Sequence, residues 1–225
     1  MRLLLTSAGL RNETLRQALL DLLGMPFEEA NIVYIPTASV AEPGDHSWFV
    51  ADLNRVYDLG WRQFDVLELN GLPQQVVLDR LRHADVVYVE GGNHYHLARA
   101  ITENGLAEGF LEALESRVYV GVSAGSMIFS RHLDELSAEV IGDADDLHVL
   151  GATTLRPPFG LFDWYLKPHL DSPDFPDRND AWAEGIAAKA DFPIYFIDDA
   201  TAIRVDGDEV DVVSEGRWRL LPARH

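Results

Sequence analysis

Ser123 stands among small residues in YVGVSAGSM, residues 119–127, where an apolar run stops between Gly121 and Gly125. A Gly-x-Ser-x-Gly run that closes a strand and opens a helix is the pattern of a nucleophile elbow. The turn is so tight that only small neighbours fit, and the hydroxyl is lifted above the sheet edge. Ordinary strand-to-helix corners share that composition, so the rest of the chain must supply what a reactive serine needs. A hydroxyl is nearly inert at neutral pH. It requires a base, an acid to orient the base, and donors for the oxyanion.

Among eight histidines, His225 is terminal, His46 and His83 stand in polar stretches, and His132 follows Ser123 closely enough to share the segment behind it. His169 is the better base. It lies in YLKPHLDSP, where Pro168 cannot continue a helix and where Phe162, Trp164 and Tyr165 precede it as apolar shielding. For the oxyanion, the N–H of Ala124 begins the helix after the elbow, where amides lack intrahelical partners. A second donor is expected from VEGGN, whose Gly91 and Gly92 give the backbone the freedom to aim an amide. His94 and His96 are two apart, which puts them on different faces of a helix, so no metal site is assigned and no cofactor is expected.

The elements that must hold these residues are visible as alternating patterns. RLLLTS (2–7), NIVYIPTAS (31–39), QFDVLEL (63–69), ADVVYVEGG (84–92) and RVYVGVSAG (117–125) are apolar runs ending in Gly, Ser or Thr. Between them, NETLRQALLDLLG, SWFVADLNRVYDLGW, PQQVVLDRLRHA and NHYHLARAITENG carry apolar residues at three- and four-residue spacing. Such alternation predicts an α/β fold with a doubly wound, mostly parallel sheet and helices on both faces, its active site at the carboxyl ends of strands. A helix over 181–190 and a β-meander over 193–221 are expected to complete the sheet and add a small antiparallel β extension at the C-terminus.

With 225 residues and no linker or repeat, residues 1–225 read as one domain with ample core. Absence of cysteine excludes disulfides, thiolate zinc sites and a cysteine nucleophile. The excess of 37 acidic over 18 basic residues, a formal charge of −19, argues against nucleic acid as a partner. No run approaches the roughly 18 apolar residues of a membrane helix, and the start has no signal-peptide pattern. No membrane association and a cytoplasmic location are the expectation.

Taken in order, VEGGNHYHL, GVSAGS, KPHLDS and YFIDDATAIRV, with YIPTAS near the start, resemble the dipeptidase E and cyanophycinase family of serine peptidases. That resemblance implies a fold like the class I glutamine amidotransferases. It also implies Ser123 as nucleophile, His169 as general base, Gly92 and Ala124 as oxyanion donors, and Asn93 lining the substrate pocket. For the third member of the triad it points to Asp199, with Asp134, Asp143 and Asp171 as alternatives. Aspartyl dipeptidases of the family read an N-terminal aspartate with an arginine, and the matching position here is Arg178. A guanidinium fork suits a carboxylate. The loop ahead of it carries Asp171, Asp174 and Asp177, which could neutralise Arg178 or, in the case of Asp171, contact substrate.

The expected function is therefore a serine exopeptidase acting on short peptides from the free amino end, aspartate-specific or broader. A cyanophycinase-like or isoaspartyl hydrolase is the alternative, and a non-catalytic amidotransferase-like binding protein a third. The resemblance also implies a homodimer, with Val210, Val212 and Val213 as candidate interface residues.

Overall fold

A computed structural model describes residues 1–151 and 155–224; His225 lies outside the described residues. The elements run in the order β1 (Arg2–Thr6), α1 (Glu13–Leu23), β2 (Asn31–Ile35), α2 (Ser47–Tyr57), β3 (Gln63–Val66), α3 (Gln74–His83), β4 (Val86–Val89), α4 (His94–Glu103), α5 (Ala107–Leu114) and β5 (Val118–Val122). They continue with α6 (Ala124–Met127), α7 (Glu135–Ile141), α8 (Ala144–Val149), β6 (Tyr165–Lys167), α9 (Asp180–Ala187), β7 (Ile194–Ile197), β8 (Thr201–Asp206), β9 (Glu209–Ser214) and β10 (Trp218–Leu221).

Seven strands form the main sheet in the order β3-β2-β4-β5-β1-β8-β9. The first five are parallel, and β8 and β9 add an antiparallel edge. Side chains alternate across the sheet as the pleat requires. Leu3, Leu5, Val87, Val89 and Tyr119 pack on one face with α3, α4 and α5, whereas Leu4, Val86, Tyr88, Val118 and Val120 pack on the other with α1 and α2. β4 and β5 are buried along their whole length, which explains why their sequences are apolar without alternation.

The sequence leads one to expect residues 193–221 to form a single meander. Instead β7 leaves the main sheet and joins β6, in parallel, and β10, antiparallel, in a second, three-stranded sheet. The chain changes sheets at a turn held by Asp198, whose Oδ1 accepts from the Ala200 amide at 3.1 Å and the Thr201 hydroxyl at 2.6 Å.

This topology brings distant segments to one place. Adjacent β4, β5 and β1 end together, since Val89 pairs with Gly121 and Thr6 with Val122. The residues that follow, Glu90, Ser123 and Ser7, therefore line one sheet edge. Antiparallel β8 starts beside the end of β1, with Ala202 opposite Thr6, so Asp199 arrives at the same edge. Parallel pairing of β6 with β7 sets Lys167 opposite Phe196, and the loop beyond β6 delivers His169 next to Asp199.

Candidate active site

Ser123 caps α6 with φ 45° and ψ −106°, a conformation sparsely populated by residues with a side chain. What surrounds it enforces that strain. A Cβ on Gly125 would lie 2.2 Å from the Val89 carbonyl oxygen, and one on Gly121 would lie 2.7 Å from the Gly125 backbone, so α6 can sit directly on β4 and β5 only because both residues are glycine. The Ser123 N–H donates to the Thr6 carbonyl at 3.0 Å, which ties the corner to β1.

Two backbone amides at this corner are free to bind a ligand. Ala124 is the first residue of α6 and its N–H makes no hydrogen bond among the described residues, as expected at a helix start. In the facing loop, the Gly91 N–H donates to Glu90 Oε1 at 2.9 Å and the Asn93 N–H to the Ala38 carbonyl at 3.0 Å, leaving the Gly92 amide without a partner among the described residues. Gly92 has φ 127°, and a Cβ there would come within 2.4 Å of the Ala38 oxygen; no other residue fits.

His169 lies beside the elbow with its Nε2 3.0 Å from Ser123 Oγ and its Nδ1 2.7 Å from Asp199 Oδ1. It occupies the left-handed region at φ 66°, held there by its own N–H donating to Ser7 Oγ at 2.8 Å and by the Leu170 N–H donating to the Ile197 carbonyl at 3.0 Å. Phe175 stacks on the imidazole with ring centres 4.6 Å apart. Burial lowers the His169 pKa below its ordinary value of 6.5, and the Asp199 carboxylate only partly offsets this. The imidazole is thus neutral at pH 7 and able to accept a proton.

Asp199 is surrounded by donors. Burial alone would raise its pKa, but His169 and the hydroxyls of Ser172 (2.6 Å, to Oδ2) and Ser7 (2.9 Å, to Oδ1) outweigh it and hold the carboxyl well below the usual carboxylate range. The three other acids considered from the sequence lie elsewhere. Asp134 caps α7 by accepting from the Ser137 amide, Asp143 is buried against Lys167, and Asp171 pairs with Arg217 at 2.7 Å.

A cleft of about 550 Å³ opens over Ser123 and His169. Arg178 forms part of its wall, its guanidinium carbon 4.1 Å from the Phe175 ring centre and 5.7 Å from that of Trp182. The guanidinium makes one hydrogen bond among the described residues, to the Pro168 carbonyl at 3.4 Å, and no carboxylate lies within ion-pair distance there. The acidic loop does not neutralise it: Asp171 turns to Arg217, and only Asp174 of the three aspartates borders the cleft. Two expectations are corrected here. Asn93 does not line the cleft, because its Oδ1 caps α4 at the His96 amide and its Nδ2 donates to the Asp146 carbonyl. Asp171 likewise faces away, drawn off by Arg217. Further along the wall, His94 is buried, which pushes its pKa down to about 4 and makes it a neutral neighbour of the Asp143–Lys167 pair.

Comparison with known proteins identifies the family. The sequence model of Peptidase family S51 matches residues 3–213, nearly the whole chain. The chain belongs to peptidase family S51. It is a serine-type peptidase. An uncharacterized peptidase of Pasteurella multocida is 27% identical over 182 residues, 80% of this chain and 84% of that protein. A probable alpha-aspartyl dipeptidase of Drosophila melanogaster is 26% identical over 145 residues, 64% of this chain and 59% of the fly protein. The crystal structure of a putative peptidase E protein from Listeria monocytogenes shares the fold, with a TM-score of 0.76 and 21% identity over 96% of this chain and 98% of that one.

Two residues of this candidate site are not singled out by the sequence. Ser7 bridges the His169 amide and Asp199, and Ser172 holds the second oxygen of Asp199. Ser7 follows β1 at the end of the sheet that carries Ser123, and Ser172 closes the KPHLDS run in the loop of His169.

Proposed function

We propose that this S51 peptidase hydrolyses short peptides from their free amino end through Ser123, His169 and Asp199. The observation that carries the reading is the unbroken contact from Ser123 Oγ through His169 to Asp199, at 3.0 and 2.7 Å, at the floor of an open cleft. Ser123 Oγ attacks the scissile carbonyl while its proton passes to His169 Nε2. The amides of Gly92 and Ala124 receive the oxyanion. As the C–N bond breaks, His169 returns the proton to the leaving amine. Water then attacks the acyl-enzyme with His169 again as base, releasing the acid and restoring Ser123. Asp199 holds the imidazole with its proton on Nδ1 and stabilises the imidazolium.

Arg178 is the proposed reader of an N-terminal aspartate side chain. It reaches the cleft without an ion-pair partner among the described residues and is partly desolvated, which gives a guanidinium–carboxylate contact more weight than on an open surface. Arg178→Ala is expected to cost roughly 2 to 5 kcal/mol in kcat/KM on Asp-Leu and to change Ala-Leu little. Measuring both dipeptides, with Leu-Leu and β-Asp-Leu alongside, decides the matter. Equal losses on all four would remove Arg178 as the specificity residue, and a parent that prefers β-Asp-Leu would favour an isoaspartyl or cyanophycinase-like hydrolase. That second reading draws on the acidic loop after His169, of which only Asp174 borders the cleft.

A homodimer is proposed as well. β9 is an edge strand whose outer side pairs with no strand among the described residues, and Val210 on it is exposed, whereas Val212 and Val213 pack into the protein's own clusters. Light scattering at micromolar concentration is expected to report twice the chain mass of 25.1 kDa; a value of one chain mass would reject the dimer.

A further inference from the structure

Beneath the Gly91–Gly92 turn lies a second group of ionisable side chains that the acyl-transfer steps do not use. Glu90 is buried, and its Oε1 accepts from the Gly91 N–H at 2.9 Å while the Tyr34 hydroxyl donates to Oε2. The carboxyl of Asp52, reaching in from α2, is also buried and lies beside that of Glu90, since the Tyr34 and Tyr88 rings whose hydroxyls bond the two carboxyls stack with centres 5.2 Å apart. Tyr88 donates its hydroxyl to Asp52 Oδ2 at 2.7 Å, and Arg55 on α2 pairs with Oδ1. Among the described residues, the titratable and charged groups bonded to the pair are Tyr34 from β2, Tyr88 from β4, and Arg55 from the helix that carries Asp52.

Two carboxyls side by side in a buried space repel strongly unless one of them is protonated, and one guanidinium offsets only one negative charge. We propose that Glu90 and Asp52 share a single proton, and that this pair is a positioning device which fixes the Gly91–Gly92 turn so that the Gly92 amide faces the scissile carbonyl. The role of the Gly92 amide rests on the acyl-transfer reading above; the shared proton does not.

Chain geometry makes the device effective. Glu90 follows β4 directly, so the same residue that anchors the turn through its side chain also carries the turn's backbone, its N–H donating to the Ile35 carbonyl at 3.0 Å. The loop after β1 rests on the same pair: a Cβ on Gly9 would lie 2.6 Å from Asp52 Oδ1 and 2.7 Å from the Tyr88 hydroxyl. Loss of the shared proton would place two negative charges in contact in a buried space and loosen both loops that border Ser123. Burial first, and Asp52 second, raise the Glu90 pKa well above that of a free glutamate. Because the folded value is raised, the stabilisation is complete below the unfolded glutamate range and is lost as pH rises through the folded value.

The test compares the parent with Glu90→Gln, Glu90→Ala, Asp52→Asn and Ser123→Ala by two readouts against pH: kcat and KM on the fastest dipeptide of the panel, and the thermal midpoint. Glutamine keeps an acceptor for the Gly91 amide and donates permanently to Asp52. The parent is expected to lose both kcat and thermal midpoint at alkaline pH, while Glu90→Gln holds both over that range. Glu90→Ala should lose roughly ten- to a hundredfold in kcat with KM within about threefold, less than the cost of deleting an oxyanion donor outright, and Glu90→Gln should recover most of that loss. Asp52→Asn should flatten the alkaline fall as Glu90→Gln does. Parallel alkaline falls of the thermal midpoint in the parent, Glu90→Gln and Asp52→Asn would overturn the shared proton. Full activity in Ser123→Ala would overturn the acyl-transfer reading, and the midpoint profiles would still judge the pair.

Discussion

Replacing Ser123 with alanine is expected to lower kcat by on the order of a thousandfold or more while leaving the fold and its thermal midpoint unchanged. The reason the fold survives is local. Ser123 Oγ makes one hydrogen bond among the described residues, to His169, so its loss strands no buried donor or acceptor other than the imidazole nitrogen itself. The strained backbone at φ 45° is imposed by the Thr6 carbonyl and by the glycine contacts of α6, none of which involves the side chain. Alanine costs no more there than serine. His169→Ala should match Ser123→Ala closely, because members of one catalytic unit lose the same step whichever is removed, and the double variant should be no worse than either single one. Steady-state kinetics on the dipeptide panel, with thermal melts of each variant, check this. Retention of most activity in Ser123→Ala would end the serine mechanism. Loss in only one of the two would break the pairing of Ser123 with His169.

Much of this arrangement is readable in the sequence up to residue 125, and far less beyond it. Strands β1, β2, β4 and β5 are apolar runs closed by small residues, and their helices repeat at three and four, so local pattern and tertiary environment agree. Where they disagree, the sequence misleads. IYFI of β7 is as apolar as a strand of the main sheet, and nothing local reveals that a turn at Asp198 sends it into a different one. Helices α7 and α8 have 7 and 6 residues, too short for a period to emerge. Side-chain direction is the other gap. Position in a motif or loop brings Asn93 and Asp171 near the site, but position does not say which way a side chain turns. Asn93 is claimed by the helix start it precedes, a capping role that asparagine commonly fills, and Asp171 by an arginine far along the chain. Ser7, Ser172, Asp52 and Glu90 act chiefly through contacts with residues distant in sequence. A single hydroxyl or carboxyl has no period and no spacing to betray it.

Asp199→Asn is expected to reduce kcat by on the order of ten-thousandfold, the scale of loss when the acid of such a triad is neutralised. Its surroundings decide how. Ser172 faces Oδ2 and can accept from an amide as well as donate to a carboxylate, so the asparagine can set its Nδ2 toward Ser172 and keep its oxygen on His169 Nδ1 and Ser7. The imidazole then keeps its orientation and its proton on Nδ1. What vanishes is the negative charge that stabilises the imidazolium as Ser123 gives up its proton. The pH profile should report that loss separately from orientation. In the parent, kcat/KM falls on the acid side as His169 becomes protonated, at a pH below the ordinary histidine value of 6.5, because burial outweighs Asp199. Removing the carboxylate leaves burial unopposed, so the acid limb of Asp199→Asn should move to still lower pH while the plateau drops. A plateau near that of the parent, or an acid limb that stays where it was, would mean that another group orients His169 and that the 2.7 Å contact with Asp199 is structural.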